Sequence, residues 1–254
     1  MRISLTWDKN FPKGYGHTSI AFLKRCCGFY QAKNGDLISA LNVVSKCVKQ
    51  ERLQELRKKY PNAVLIPVLG RNQLPLALAY EIGLPIWLNV YLLHSVSRKL
   101  LCAIHRLLHK PIFTGYIRKN TDYILVDDII AQGGTILALR NFVTARGGNV
   151  VAVIALAYAV GSQNIAPLKK NMIRLFLKFG NRLVQLLNIY GIAVSFYELT
   201  NSQVIYLNRF TSFENIIKKI AEINNEPYPI IPHFLVYDIF KYNFEVKYED
   251  WHLR

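Results

Sequence analysis

Residues 123–158 alternate between strand-like and helix-like patterns. An apolar, β-branched run opens this stretch, and a helix-like pattern at 136–144 is ended by the turn Arg146-Gly147-Gly148. A second apolar run, Val150–Tyr158, has the composition of a buried strand. A strand, a helix and another strand in this order form a right-handed parallel unit. The sequence therefore predicts an α/β fold with a central, mostly parallel sheet flanked by helices.

Helix-like patterns continue on both sides of this unit. Upstream, residues 37–47 and 51–60 have apolar positions at helical spacing and follow an irregular basic leader. Residues 63–68 form a strand-like run, and a turn at Gly70 leads into the helix-like stretch LPLALAYEI. Beyond Gly161 the pattern becomes mainly helical. We predict an N-terminal helical segment at 1–61, an α/β core at 62–160 and a C-terminal, mainly helical segment at 161–254 that packs on the core.

The chain carries a formal net charge of +16, from 32 basic and 16 acidic side chains. Such an excess favours a polyanionic partner, which could be a nucleic acid, an acidic membrane surface or a phosphorylated metabolite. The basic residues are spread along the chain, so the charge does not form a detached tail. A hydrophobic content of 52% excludes a disordered or low-complexity chain.

Cysteine spacing and the N-terminus bear on the cellular compartment. The four cysteines lack C-x-x-C spacing, and we expect them to be reduced and mostly buried. The first residues, MRISLTWDKN, contain no apolar signal core, and no run reaches the ~18 apolar residues of a transmembrane helix. These features predict a cytoplasmic protein without a membrane segment.

The stretch YILVDDIIAQGGTILAL, residues 123–139, carries the chemistry. Its strand ends in Asp127-Asp128, and Gly133-Gly134 then leads into a helix, so backbone N–H groups and a helix N-terminus surround one small cavity. Such a cavity binds phosphate, and Thr135 could donate a hydroxyl hydrogen bond and cap the helix. The carboxylates would repel a bare phosphate but suit sugar hydroxyls or a water-mediated Mg²⁺ ion. The site therefore fits a phosphorylated sugar.

Residues 123–137 resemble the phosphoribosyl-pyrophosphate (PRPP) signature of type I phosphoribosyltransferases, in which a hydrophobic strand, an Asp-Asp pair and a five-residue phosphate loop precede a helix. The loop is most similar to that of the purine members. Upstream, Ile66–Ala79 resembles the strand and turn with which this family holds pyrophosphate, and the acid-free segment 89–120 occupies the position of the family's mobile loop. The resemblance covers about residues 62–160 and implies that the flanking segments form a hood.

The resemblance implies a role for each matching residue. Asp127 and Asp128 would act in catalysis by binding the ribose 2′- and 3′-hydroxyls, and they would hold Mg²⁺ through water. The 5-phosphate would be held by Ala131, Gln132, Gly133, Gly134 and Thr135. The pyrophosphate would be held by Leu69, Gly70, Arg71 and Asn72. The candidate mobile-loop contacts are Arg98, Lys99, Arg118 and Lys119.

The implied reaction moves ribose 5-phosphate from PRPP to a ring nitrogen, with a purine-like nucleobase as the first choice of acceptor, and releases pyrophosphate. Catalysis is then mainly electrostatic, because the metal and basic side chains stabilise the departing pyrophosphate while a closed loop excludes water. The family often forms dimers, so the resemblance also implies a homodimer.

Two alternatives stay open. The acceptor could be something other than a nucleobase, such as an amine donor. Alternatively, the protein could be a PRPP-sensing regulator that uses its positive charge to bind nucleic acid, although the sequence contains no clear nucleic-acid-binding module. A P-loop ATPase is excluded, because the sequence has no G-x-x-x-x-G-K-[ST] loop.

Overall fold

A computed structural model describes residues 14–94, 102–159 and 165–224. In chain order, its elements are β1 (Gly14–Thr18), α1 (Ile20–Arg25), α2 (Phe29–Lys33), α3 (Leu37–Cys47), α4 (Gln50–Lys59), β2 (Val64–Pro67), α5 (Leu74–Ile82), β3 (Val90–His94), α6 (Ala103–Leu108), β4 (Ile112–Gly115), β5 (Asp122–Ile130), α7 (Gly134–Ala145), β6 (Asn149–Tyr158), α8 (Lys169–Ile189), a 3₁₀ turn (Phe196–Glu198), α9 (Asn201–Asn208) and α10 (Phe213–Asn224).

The described residues divide into two compact units. The N-terminal helices share a unit with β2 and α5, whereas α6 belongs with the C-terminal helices. The first unit contains residues 14–94, 111–159 and 165–166, and the second contains residues 102–110 and 167–224.

A four-stranded parallel sheet forms the centre of the first unit, in the strand order β1-β6-β5-β2. Gly16 on β1 and Asp127 on β5 both pair with Ala155 on β6, and Pro67 on β2 pairs with Val126 on β5. The strands β3 and β4 form a separate antiparallel pair. The predicted α/β class with a central parallel sheet flanked by helices is confirmed.

The sheet is buried on both faces, because β6 is almost continuously apolar and β5 is apolar from Tyr123 to Val126, just before its two buried aspartates. On one face, Ile124 and Ile154 belong to a core that also contains buried side chains of α1 to α5. On the other face, Leu125 and Val153 pack in a core with buried side chains of α7. Helices on both faces leave only the strand ends, with the loops that follow them, to contact a ligand.

Three elements differ from the sequence prediction. The leader is not irregular throughout, because Gly14–Thr18 forms the edge strand β1 and two short helices follow it. The strand β5 does not end at Asp127-Asp128, as predicted, but continues to Ile130. The helix α7 begins at Gly134, two residues earlier than predicted.

The second unit consists of α6, α8, α9 and α10 among the described residues. Gly180, with a φ of +58°, interrupts α8. A capping box begins α9, because the Thr200 hydroxyl accepts the Gln203 N–H at 3.1 Å and Gln203 Oε1 accepts the Thr200 N–H at 2.7 Å. Within the described ranges, no helix has both the length and the apolar character needed to cross a membrane.

Candidate functional site

The sheet brings the two predicted phosphate loops to one edge. Asp127 and Asp128 lie near the carboxyl end of β5, and the loop 131–133 follows directly. The Val68 N–H donates to the carbonyl of Val126 at 2.9 Å, so the chain leaving β2 stays beside β5 just before the aspartates. Residues 69–72 follow this contact. The parallel pairing therefore places both loops at the carboxyl edge, where open α/β sheets bind ligands.

The two aspartates are buried side by side. Asp127 is 8% exposed and Asp128 is 4% exposed, and the Asp128 N–H donates to Asp127 Oδ1 at 2.9 Å. Burial, followed by the charge of Asp128, raises the pKa of Asp127 well above its ordinary value. Burial and the charge of Asp127 also raise the pKa of Tyr158 on β6. Asp127 therefore needs a nearby cation or hydrogen-bond donors to stay ionised.

Lys33, the last residue of α2, supplies such a cation. Its ammonium forms an ion pair with Asp128 Oδ2, and its charge also lowers the pKa of Asp127. The side chain of Lys33 is 28% exposed, and Nζ lies 5.9 Å from the centroid of the Phe29 ring. Sequence reasoning missed Lys33, because an acid pair indicates that a counter-charge is needed but not which of 32 basic residues provides it.

Within the loop Ala131–Thr135, Gly133 has a structural reason to be glycine. It precedes α7 with a φ of +74°, and a Cβ atom there would lie 2.5 Å from Cγ2 of the buried Ile165. Gly133 itself occupies the position that caps α7, so the predicted capping by Thr135 is wrong. Thr135 and Gly134 are half-buried in the first turn, while Ala131 and Gln132 are exposed.

Residues 69–72 are held against the chain that carries Lys33. Asn72 Oδ1 accepts the Leu74 N–H at 3.2 Å, and Arg71 Nε donates to the carbonyl of Asn34 at 3.3 Å. No atom lies within 4 Å of a Cβ built on Gly70, and its φ is not in the left-handed region. Neither packing nor backbone conformation therefore requires glycine at position 70.

The predicted mobile-loop contacts are not brought to this edge. Arg118 and Lys119 precede β5, whose first residue, Asp122, is five positions before Asp127, or about 17 Å at 3.3 Å per residue. The Arg118 guanidinium lies 4.3 Å from the centroid of the Trp87 ring. In this structure Arg118 and Lys119 therefore lie toward the amino edge of the sheet, and their closing role stays a prediction. Arg98 and Lys99 lie outside the described residues.

The carboxylate pair fits a magnesium ion only in part. In the described segments, no group of three or more His, Cys, Asp or Glu side chains could hold a metal ion. The ammonium of Lys33 already lies against Asp128 Oδ2, one of the oxygens that a metal ion would use. Since Mg²⁺ commonly binds one or two carboxylates together with water and substrate phosphates, Asp127 and Asp128 could hold it only with oxygens of a bound substrate.

Comparison with known proteins identifies relatives but no family. No protein-family model matches the sequence. The chain is 27% identical over 229 residues to Protein TraN from Escherichia coli and 29% identical over 148 residues to an uncharacterised protein from Haemophilus influenzae. It covers only 51% and 33% of those proteins. A segment of 58 residues is 45% identical to adenine phosphoribosyltransferase from Bordetella avium and covers 32% of that enzyme.

Solved structures with partial similarity include two adenine phosphoribosyltransferases. The enzyme from Rhodothermus marinus matches with a TM-score of 0.37 and 20% identity, over 50% of this chain and 76% of that chain. The enzyme from Thermoanaerobacter pseudethanolicus matches with a TM-score of 0.34 and 19% identity, over 48% of this chain and 74% of that chain.

Proposed function

We propose that the carboxyl edge of the four-stranded sheet binds PRPP and transfers its ribose 5-phosphate to a nitrogen acceptor, with release of pyrophosphate. The observation that carries this proposal is the meeting of three features at one edge. These are the buried pair Asp127-Asp128, the glycine loop that begins α7 and the loop 69–72 after β2. Together they provide places for a sugar, a phosphate and a pyrophosphate.

The 5-phosphate is assigned to the loop Ala131–Thr135. The left-handed conformation of Gly133 turns the chain directly into α7, a helix of 12 residues whose first N–H groups have no partners within the helix. Backbone N–H groups and the positive end of the helix dipole attract an anion at this point. Ala131 and Gln132 are exposed, so an incoming phosphate can approach the loop.

The ribose hydroxyls are assigned to Asp127 and Asp128. Hydroxyl groups donate hydrogen bonds to carboxylates, and such bonds favour the ionised form of a buried acid. Burial and the charge of Asp128 raise the pKa of Asp127 in the free protein. Hydrogen bonds from a bound diol would therefore stabilise the ionised form of Asp127. Lys33 holds Asp128 in the free protein, and ribose binding would share or displace this contact.

The departing pyrophosphate is assigned to Leu69–Asn72, where backbone groups and the exposed Arg71 side chain can contact its charge. Magnesium, held by the aspartates together with substrate oxygens, would neutralise part of the charge that develops on pyrophosphate. The protein's own contribution is to orient ribose on a fixed edge and to place N–H donors and cations around both phosphate groups.

A purine-like base is the acceptor that the comparisons favour. The segment shared with adenine phosphoribosyltransferase is 45% identical over 58 residues, and the loop Ala131–Thr135 resembles that of purine enzymes. The names of the other two relatives specify no acceptor. The experiment therefore compares purine with pyrimidine bases as acceptors.

The test is to incubate the protein with PRPP and Mg²⁺ and to add adenine, guanine, hypoxanthine, xanthine, uracil and orotate in turn. Pyrophosphate release is followed together with mass detection of the nucleotide. We expect release with a purine base. Asp128→Asn should lower turnover on the order of 100-fold, the loss typical when a group that stabilises the transition state is removed.

The matched control is Asp122→Asn, which changes an exposed carboxylate at the other end of the same strand and should leave turnover unchanged. Thermal stabilisation by PRPP without turnover would favour the PRPP-sensing alternative, which salt-sensitive oligonucleotide binding would then support. Absence of both turnover and stabilisation would contradict the proposed function.

A further inference from the structure

Two cysteine thiols meet beneath the corner between α1 and α2. Cys26 Sγ lies 3.6 Å from Cys47 Sγ, although the two residues are 21 positions apart. Cys26 follows the last residue of α1, and Cys47 is the last residue of α3. Cys26 is half-buried and Cys47 is buried, whereas Cys27 and Cys102 are exposed. The pair therefore combines one thiol that solvent can reach with one that it cannot.

The corner that holds Cys26 is fixed by packing. Gly28 has a φ of +91°, and a Cβ atom there would lie 3.1 Å from Cβ of Ser39 on α3. Phe29, the first residue of α2, is buried in the core, and the Cys26 N–H donates to the carbonyl of Leu23 at 3.2 Å. Because the corner is packed directly on α3, the two sulfur atoms remain neighbours without a large change of backbone.

We propose that Cys26 and Cys47 form a reversible disulfide that restrains α2 and, with it, Lys33. The oxidant is a low-molecular-weight disulfide such as glutathione disulfide. The bond would join the ends of α1 and α3 and enclose the short helix α2, whose last residue is the counter-ion of Asp128. The consequence for Lys33 rests on the proposed function, whereas formation of the disulfide does not.

The reaction has two exchange steps. First, the Cys26 thiolate attacks one sulfur of glutathione disulfide, the S–S bond breaks, and one glutathione leaves with the proton that Cys26 lost. Then the Cys47 sulfur attacks Cys26 Sγ, and the second glutathione leaves with the Cys47 proton. Two protein thiols and one glutathione disulfide thus give one protein disulfide and two glutathione molecules.

The environment of Cys47 determines which thiol reacts first. Burial, together with hydrogen bonding and charge from Cys26, raises the pKa of Cys47 to about 12. Since the thiolate is the nucleophile, Cys47 reacts slowly with a reagent in solution. In the second step, the contact between Cys47 and Cys26 offsets this slow reaction, because the attack on Cys26 Sγ is then intramolecular.

The test is to incubate the full chain with glutathione disulfide, block the remaining thiols and map the peptides by mass spectrometry. We expect a cross-linked peptide pair that joins Cys26 to Cys47 and whose mass is two hydrogen atoms below the sum of the two reduced peptides. Dithiothreitol should reverse this cross-link. Cys47→Ser and Cys26→Ser should each abolish it, and the second variant covers the case in which a change at the buried position impairs folding. Cys27→Ser and Cys102→Ser are the controls and should leave the cross-link intact.

The same samples test the effect on Lys33. The oxidised protein should have a higher melting temperature than the reduced protein, and its Kd for PRPP should differ by about three-fold or more, since Lys33 is then held beside Asp128. A stable mixed disulfide on Cys26 or Cys27 without the cross-link would overturn the disulfide. A cross-link that leaves the Kd unchanged would overturn the role of Lys33. If the reduced protein does not bind PRPP, the proposed function fails while the peptide map still decides the disulfide.

Discussion

Replacing Gly133 by alanine should lower the free energy of unfolding by about 2–5 kcal/mol. A left-handed conformation costs a non-glycine residue about 1–2 kcal/mol, and Gly133 has a φ of +74°. The added Cβ would lie 2.5 Å from Cγ2 and 3.0 Å from Cγ1 of Ile165, which is 3% exposed. Forcing a buried side chain to move in this way costs about 1–3 kcal/mol, and the two effects act together.

The assay is urea unfolding at pH 7, followed by circular dichroism. Gly70→Ala is the matched control, because position 70 has neither a left-handed φ nor a neighbouring atom within 4 Å of an added Cβ. The free energy of unfolding of this variant should differ from that of the wild type by less than about 0.5 kcal/mol. Ile165→Ala alone should cost about 2–4 kcal/mol, but in the double variant the two losses should be less than additive by about 1–3 kcal/mol. A Gly133→Ala protein as stable as wild type, or strict additivity, would refute the reasoning.

Two further predictions concern buried charge in the first unit. Burial, then the charges of Arg52 and Lys49, lowers the pKa of His17 to about 4, so unfolding should become easier as the pH falls from about 6.5 to 4. The free energy of unfolding, measured with urea, should fall by up to about 3 kcal/mol over this pH range. This fall should be absent in His17→Asn, because the asparagine side chain can still accept the Lys49 N–H but does not take up a proton. Lys33→Met should cost about 1–3 kcal/mol at pH 7, because Asp128 loses its cation, whereas the exposed Lys46→Met should be neutral by the same assay.

Local patterns were sufficient for much of the first unit. The helix at 37–47 and the helix Leu74–Ile82 have the predicted bounds, since each combines helical apolar spacing with a recognisable end. The strands at 64–67 and 149–158 match apolar runs within a residue or two. Strands buried on both faces need no partner to be recognised, because their composition alone is unusual.

Patterns failed where a neighbour decides the conformation. The sequence GYGHT has little β-propensity, yet Gly14–Thr18 pairs with β6, which offers an open edge. Arg118 and Lys119 were candidates for the site because the segment 89–120 occupies the position of the mobile loop in the family that the sequence resembles. They precede β5, however, and the nine residues of this strand put its two ends far apart. Only the carboxyl end, which carries Asp127, lies beside the loops 69–72 and 131–133.

The sequence by itself determined the α/β class, the order of the central elements and the stretch that contains the paired aspartates and the glycine loop. These are local properties, since apolar spacing, glycine and proline act within a few residues. The tertiary structure decided which of these residues meet. Parallel pairing of β2 with β5 brings the loop 69–72 to Asp127, and the fold selects Lys33 as the cation beside Asp128. Such contacts depend on strand register and packing between distant segments, and a pattern read along the chain does not contain them.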